Sequence, residues 1–272
     1  MIKSIAVPRK NNQRYYDTHY RFFFEMIKAV GVNLRYYDDM CNDSGFGIWL
    51  AHKHVLIDYG DHMRLPLDLS EFDIAFKYHY SKKYHSDIPR LYPLTPISFY
   101  NWKKYQELEK TICYGGNAEF ILNNQRPGAT AKQRRNTVQR KLKERYGTQV
   151  DTNITSQESF WRKINNCLVS VCVPGARNNI LDRGQLQYMA FGACTISPPL
   201  DIMLPFRRQP QAGIHYLTCR PDYSDLIEVI EYCRENRDRC RMIGQQAKKL
   251  FLSTSTPDNI WKWINQCIGL AE

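Results

Sequence analysis

The sequence predicts an α/β protein of two β/α units, on two observations. First, short apolar runs bounded by glycine, proline and polar turns alternate with segments whose apolar residues recur at helical spacing. Second, residues 168–233 carry the pattern in its clearest form. Leu168-Val169-Ser170-Val171-Cys172-Val173 stops at Pro174-Gly175, and Asp182 to Gly192 follows as a helical segment. Ala193-Cys194-Thr195-Ile196 and Ile214-His215-Tyr216-Leu217 are further short runs, and the amphipathic Asp222 to Cys233 closes the series. In such a unit the loop after a strand's carboxyl end binds phosphates, because the following helix presents unpaired N–H groups and the positive end of its dipole. Arg183 stands at that junction, which points to a nucleotide-diphosphate site and so to a nucleotide-sugar enzyme. A net charge of +11 over 272 residues favours anionic partners and says nothing about fold.

The elements follow in order. Residues 2–7 read as a strand. Tyr20, Phe23, Phe24, Ile27 and Val30 fall on one helical face that ends at Gly31. Further strands are expected at 33–37, 46–50, 54–58 and 73–79. Pro89, Pro93 and Pro96 make 81–97 a loop, and 98–110 a helix follows. A second unit opens with a strand at Thr111-Ile112-Cys113-Tyr114, broken at Gly115-Gly116-Asn117. Residues 131–146 form a basic helix. Thr155-Ser156-Gln157-Glu158 has capping-box spacing and starts a helix to about Asn165. Three helices close the chain, carrying Leu226, Val229, Ile230 and Cys233, then Ile243, Ala247, Leu250 and Phe251, then Ile260, Trp263, Ile264 and Cys267 after Pro257. The expected domains are 1–110 and 111–272, with the last helix able to return to the first. A ligand is expected at the carboxyl ends of parallel strands, in a cleft between the units.

Composition narrows the class. The start, Met1 to Pro8, is too short and broken for a secretion signal, and no apolar run reaches the ~18 residues that span a bilayer. The nine cysteines are odd in number, without C-x-x-C or zinc spacing, and read as reduced thiols of a soluble cytoplasmic protein. A P-loop kinase is excluded by the lack of G-x-x-x-x-G-K-[ST]. The main rival is nucleic-acid binding through Lys132 to Arg145, with Tyr15, Tyr16, Tyr36 and Tyr37 for stacking. Against it, Val138 and Leu142 interleave with the charges at helical spacing, so no nucleic-acid partner is expected.

From Pro174-Gly175 through Arg183 to Phe191-Gly192 and Ala193–Ile196, the sequence resembles the donor-binding half of GT-B glycosyltransferases. His215-Tyr216 with Asp222 to Glu235 resembles the lipopolysaccharide-modifying and protein O-glucosyltransferase group and the related exostosin-like enzymes. Asp58-Tyr59-Gly60-Asp61 and Asp73-Ile74-Ala75-Phe76-Lys77 look like the first half of such enzymes, so the resemblance covers residues 54–80 and 165–252. It implies a GT-B-like fold: two Rossmann-like β/α domains facing a cleft, with a helical C-terminus. It also implies transfer of a sugar from a UDP-sugar (xylose, glucose or galactose) to a hydroxyl of a glycan or glycoprotein. The chain departs from the pattern in its short acceptor half and in Gln187, where many retaining members carry Glu. A neutral residue there leans towards inversion.

The chemistry then selects residues. A departing diphosphate gains negative charge that Arg, Lys or a helix N-terminus offsets. Arg183 leads, with Gly175 and Asp182 in the same loop and one of Arg134, Arg135 and Lys141 as a second clamp. His215, Tyr216 and Asp225 are candidate contacts to the nucleoside, although Asp222 and Asp225 also have helix-cap spacing. Lys77 is the candidate acceptor contact. The general base is sought among Asp17, His19, Asp58 and Asp61, each of which also suits a cap, turn or surface role; Gly60 gives the tight turn that puts Asp61 ahead. No metal or other cofactor is expected: there is no Asp-x-Asp, and Asp38-Asp39 are adjacent rather than spaced. A nucleotide-binding module unable to transfer is the further alternative.

Overall fold

A computed structural model describes residues 4–8, 20–37, 45–65, 68–96, 99, 101–115, 118–128 and 130–269. Asp17, His19, Tyr15, Tyr16 and the Asp38-Asp39 pair lie outside the described residues. In chain order the elements are β1 (Ser4–Pro8), α1 (Arg21–Ala29), β2 (Asn33–Tyr37), β3 (Gly45–Leu50), β4 (Lys53–Asp58), β5 (Ile74–Lys77), α2 (Lys82–His85), β6 (Leu91–Pro93) and α3 (Trp102–Glu109). They continue with β7 (Phe120–Leu122), α4 (Lys132–Tyr146), β8 (Val150–Asp151), α5 (Gln157–Arg162), β9 (Cys167–Val171), α6 (Arg183–Ala190), β10 (Thr195–Ser197), β11 (Leu217–Thr218), α7 (Leu226–Glu235), α8 (Arg237–Thr254) and α9 (Pro257–Cys267). The protein is α/β, with one mixed and one parallel sheet. The chain divides into two compact units: Met1–Tyr105 with Ile202–Gln209 and Ser253–Glu272, and Gln106–Asp201 with Pro210–Leu252.

In the first unit six strands run in the order β2-β1-β3-β4-β5-β6. β1 and β2 are parallel, as are β4, β5 and β6, while β3 runs antiparallel to both its neighbours. α1 buries Phe22, Phe23, Phe24, Met26 and Ile27, close to the face its periodicity predicts. α9 closes the same core with Ile260, Trp261, Trp263 and Ile264, and the Trp263 indole N–H donates to the Pro93 carbonyl at 2.7 Å. The stretch 81–97 is more ordered than its prolines suggest, holding α2 and β6. Pro93 is tolerated because β6 is an edge strand and needs no donor on its open side.

The second unit is a five-stranded sheet, β11-β10-β9-β7-β8, with every neighbouring pair parallel. β9 is buried at all five residues, which is why its sequence is a continuous apolar run rather than an alternating one. Residues 111–114 are not the opening strand. The Cys113 N–H donates to Asn165 Oδ1 (2.8 Å) and the Tyr114 hydroxyl to the Leu168 carbonyl (2.7 Å), so side chains hold this segment, and the ladder starts at β7. α5 starts one residue later than expected, with Ser156 accepting the Ser159 N–H at 3.3 Å.

α6 ends at Gly192, whose φ of +75° is the left-handed turn that releases the chain into β10. Gly244 of α8 meets this turn: a Cβ there would lie 1.9 Å from the Gly192 carbonyl oxygen. Backbone cannot rotate away as a side chain can. Gly244→Ala is therefore expected to destabilise the protein by about 3 kcal/mol or more, at or above the upper end of ordinary overpacking. A thermal melt would check this, and an unchanged midpoint would refute the close approach. Among the described residues, no helix is long and apolar enough to cross a membrane. The eight described cysteines are free thiols.

Candidate functional site

The strand order of the second unit fixes where to look. Numbered from its first strand, the sheet reads 2-1-3-4-5, so the order reverses between β7 and β9. In open α/β sheets the connections leaving the two strands at such a reversal go to opposite faces, and ligands bind at the carboxyl ends there. The loops at those ends are Asn123 to Gly128 after β7 and Cys172 to Asp182 after β9.

Buried polar side chains gather at this edge. Asn123 and Gln185 are fully buried and Gln125 is 9% exposed. Asn123 donates to the Val171 carbonyl at 2.7 Å, and Gln125 Oε1 accepts the Val173 N–H at 2.5 Å. Gln185 donates to Thr195 and Ser197 at 3.2 and 3.1 Å. Each amide has one end anchored, whereas Asn123 Oδ1, Gln125 Nε2 and Gln185 Oε1 make no hydrogen bond among the described residues. The same holds for Arg134 Nε and both terminal nitrogens of Arg177. Arg134 grips the loop itself, donating to the carbonyls of Pro174 (2.7 Å) and Gly175. Arg177 has Asp201 as a counter-charge at 3.7 Å, beyond hydrogen-bond reach. Native proteins rarely leave buried polar groups unpaired, so this collection of covered polar atoms makes the carboxyl edge of the sheet the candidate binding region.

Of the residues selected from the sequence, Arg183 is the first residue of α6. Asp182 caps that helix, accepting the Gly184 N–H at 2.7 Å, and its other oxygen pairs with Arg135 at 3.1 Å. Arg135 also donates to the carbonyls of Val173 (3.0 Å) and Arg126 (2.6 Å). Arg135 and Asp182 thus hold each other at the start of α6. Lys141 is likewise engaged, by the Tyr223 and Ser224 carbonyls at 2.7 and 2.8 Å. Gln187 is a buttress, accepting from Gln157 and Trp161 at 3.1 and 2.7 Å.

His215, Tyr216 and Asp225 lie on the loops around β11, each with a local partner. The Gln211 N–H donates to His215 Nδ1 (3.0 Å), and burial lowers this imidazole's pKa below the ordinary value. The Leu200 N–H donates to the Tyr216 hydroxyl (3.0 Å), where burial raises the phenol. Asp225 accepts the Arg220 N–H at 2.8 Å and Asp222 that of Ser224 at 3.0 Å, so both carboxylates organise turns. Arg177, Asn123 and Gln125 were not singled out from the sequence. The available signal was position, since each lies a few residues past the end of an apolar run.

In the first unit the parallel pairing of β4 and β5 sets Asp58 opposite Lys77. Their side chains are 0% exposed and 2.7 Å apart. The Gly60 N–H donates to Asp58 at 2.7 Å, and Lys77 also donates to the Gly60 carbonyl at 3.2 Å. Burial raises the Asp58 pKa, partly offset by Lys77, the Gly60 amide and His79. The pair neutralises itself in the interior, which corrects the expectations of Asp58 as base and Lys77 as acceptor contact: neither reaches solvent. Asp61, on the next turn, is 3.0 Å from Nε2 of His79, just beyond β5. Asp61 is 36% exposed and His79 7%, and His79 Nδ1 makes no hydrogen bond among the described residues. His79 was not selected from the sequence, although its place two residues after Lys77 puts it at the same strand end. Among the described residues, no group of three or more His, Cys, Asp or Glu side chains is arranged to hold a metal ion.

No protein-family model matches the chain. A stretch of 47 residues, 17% of the chain, is 40% identical to uncharacterized protein 179R of Invertebrate iridescent virus 6, and the match spans 4% of that protein's length.

Proposed function

We propose that the protein is a glycosyltransferase of the GT-B kind that binds a nucleoside diphosphate sugar at the carboxyl edge of its parallel sheet and passes the sugar to a hydroxyl of a glycan or glycoprotein. The observation that carries the reading is the reversal of strand order between β7 and β9, beside which Arg134 and Arg177 hold covered nitrogens without hydrogen-bond acceptors among the described residues. A diphosphate supplies acceptor oxygens and negative charge together, and a site poor in water makes each such contact stronger. Arg183, at the start of α6, adds a third cation beside a helix N-terminus. These cations offset the charge that grows on the leaving diphosphate, so transfer proceeds without a metal ion. The resemblance of residues 54–80 and 165–252 to inverting GT-B enzymes supports the same class of reaction.

Inversion requires one group to take the acceptor's proton. The Asp61–His79 pair is suited to this, because the carboxylate lies 3.0 Å from Nε2 and orients the imidazole.

The test is release of free nucleotide from UDP-xylose, UDP-glucose and UDP-galactose in the presence of candidate glycan acceptors. Turnover with at least one donor, persisting in excess EDTA, is expected. Turnover abolished by EDTA and restored by a divalent ion would overturn metal independence. Nucleotide binding without turnover would point to a non-catalytic module. Salt-sensitive DNA binding with neither would favour the nucleic-acid reading.

A further inference from the structure

Asp58 and Lys77 do more than neutralise each other, because both also hold the backbone around them. The Asp58 carboxylate accepts the Gly60 N–H at 2.7 Å, and the Lys77 ammonium donates to the Gly60 carbonyl at 3.2 Å. The N–H and the carbonyl of Gly60 are thus both anchored on the buried pair. The Asp58 carbonyl in turn accepts the Tyr78 N–H at 2.9 Å. Asp61 is one residue past Gly60, and His79 is one residue past Tyr78. The two atoms that meet at 3.0 Å, Asp61 Oδ1 and His79 Nε2, therefore each follow directly on a residue that Asp58 holds. A carboxylate only accepts, so Nε2 carries the ring proton. Nδ1, which makes no hydrogen bond among the described residues, is the nitrogen that keeps its lone pair.

We propose that the buried Asp58–Lys77 pair is a positioning element: it fixes the Gly60 turn, sets Asp61 against His79 and so selects one tautomer of the imidazole. This rests on the reading of Asp61 and His79 as the base given above. Both side chains of the buried pair are 0% exposed, so they act through Asp61 and His79 rather than on a substrate. Stability alone does not account for such a pair, since apolar residues of similar volume in its place are often no worse. Apolar side chains fill the space, but they cannot grip the two polar groups of Gly60.

The experiment follows the His79 ring by 15N NMR of the histidine-labelled full chain in mildly alkaline buffer, with His79→Gln to assign its signals. Alongside it, kcat and KM are measured for nucleotide release from the same three UDP-sugars. A single Nε2-protonated tautomer is expected in the wild-type chain. An imidazole averaging between both tautomers there would overturn the proposal, and that measurement needs no variant to fold. In Asp58→Leu/Lys77→Met the tautomers should mix and kcat should fall about 10–100-fold, the effect of a misplaced catalytic group, with KM little changed. A folded double variant whose His79 signals and kcat match the wild type would overturn the positioning role. Turnover unaffected by His79→Gln would instead overturn the base reading, while the ring signals would still decide whether the buried pair sets Asp61 against His79.

Discussion

Lys77→Met is expected to destabilise the protein by about 3–5 kcal/mol, the usual effect of removing one partner of a buried ion pair. Lys77 and Asp58 are both 0% exposed and 2.7 Å apart, and Lys77 is the strongest influence offsetting the buried carboxylate, with His79 a weaker one. The Gly60 amide remains, but a single N–H does not replace a charge. The loss should depend on pH in a defined sense. Burial already raises the Asp58 pKa above the ordinary carboxylate value with Lys77 present, and removing Lys77 removes the largest opposing influence. A group whose pKa is raised on folding binds its proton more tightly in the folded state, so its stabilising contribution is present at acid pH and is lost as pH rises through the folded-state value. The variant should therefore come closest to wild type in mild acid and fall furthest behind at neutral pH. The double variant Asp58→Leu/Lys77→Met should recover much of the loss, because a buried pair replaced by apolar groups is often near neutral. Urea unfolding at two pH values checks all three statements; equal stability of Lys77→Met and wild type at pH 7 would refute the closed pair.

Arg177→Ala is expected to weaken nucleoside diphosphate binding by about 1.5–3 kcal/mol, the range for hydrogen bonds to a charged group. Its terminal nitrogens make no hydrogen bond among the described residues and its ion pair with Asp201, 3.7 Å away, is loose, so its removal should leave the fold intact. Arg134→Ala should weaken binding too, but it also frees the Pro174 and Gly175 carbonyls it holds, and part of its effect will be loosening of the loop. Arg183→Ala is expected to fall in the same range. Binding titrations at two salt concentrations provide the check, since the loss of a phosphate-facing cation should also flatten the salt dependence. An unchanged affinity in a folded Arg177→Ala chain would remove this residue from the site.

The parts of the fold legible in the sequence are those set by local pattern. β2 falls on the predicted residues, and α1 and β9 lie within a residue or two of theirs, because a helical face and a fully buried strand each leave a periodic signature. Local pattern failed where tertiary contacts decide. Thr111 to Tyr114 has strand-like composition yet is held by Asn165 and Leu168, while the short β8 has too few residues to show any period. β6 was hidden by prolines that only an edge position accommodates.

The site followed the same division. Arg183 could be placed at a helix start because a strand stop, a turn and an N-cap are all local features. That Asp182 would be engaged by Arg135, 47 residues away, could not be read, nor that Lys77 would be neutralised by Asp58. Arg177, Asn123 and Gln125 acquire meaning only from the reversal of strand order between β7 and β9, which is a property of topology rather than of spacing.

A nucleoside diphosphate is expected to bind at the carboxyl edge of the parallel sheet through Arg134 and Arg177. The most direct test is a calorimetric titration of the chain with UDP in excess EDTA, set beside the Arg134→Ala/Arg177→Ala variant, with circular dichroism to confirm that both are folded. Saturable one-to-one binding by the wild-type chain, lost in the folded variant, is the result expected. No saturable binding at millimolar UDP, or the same affinity in both proteins, would contradict it.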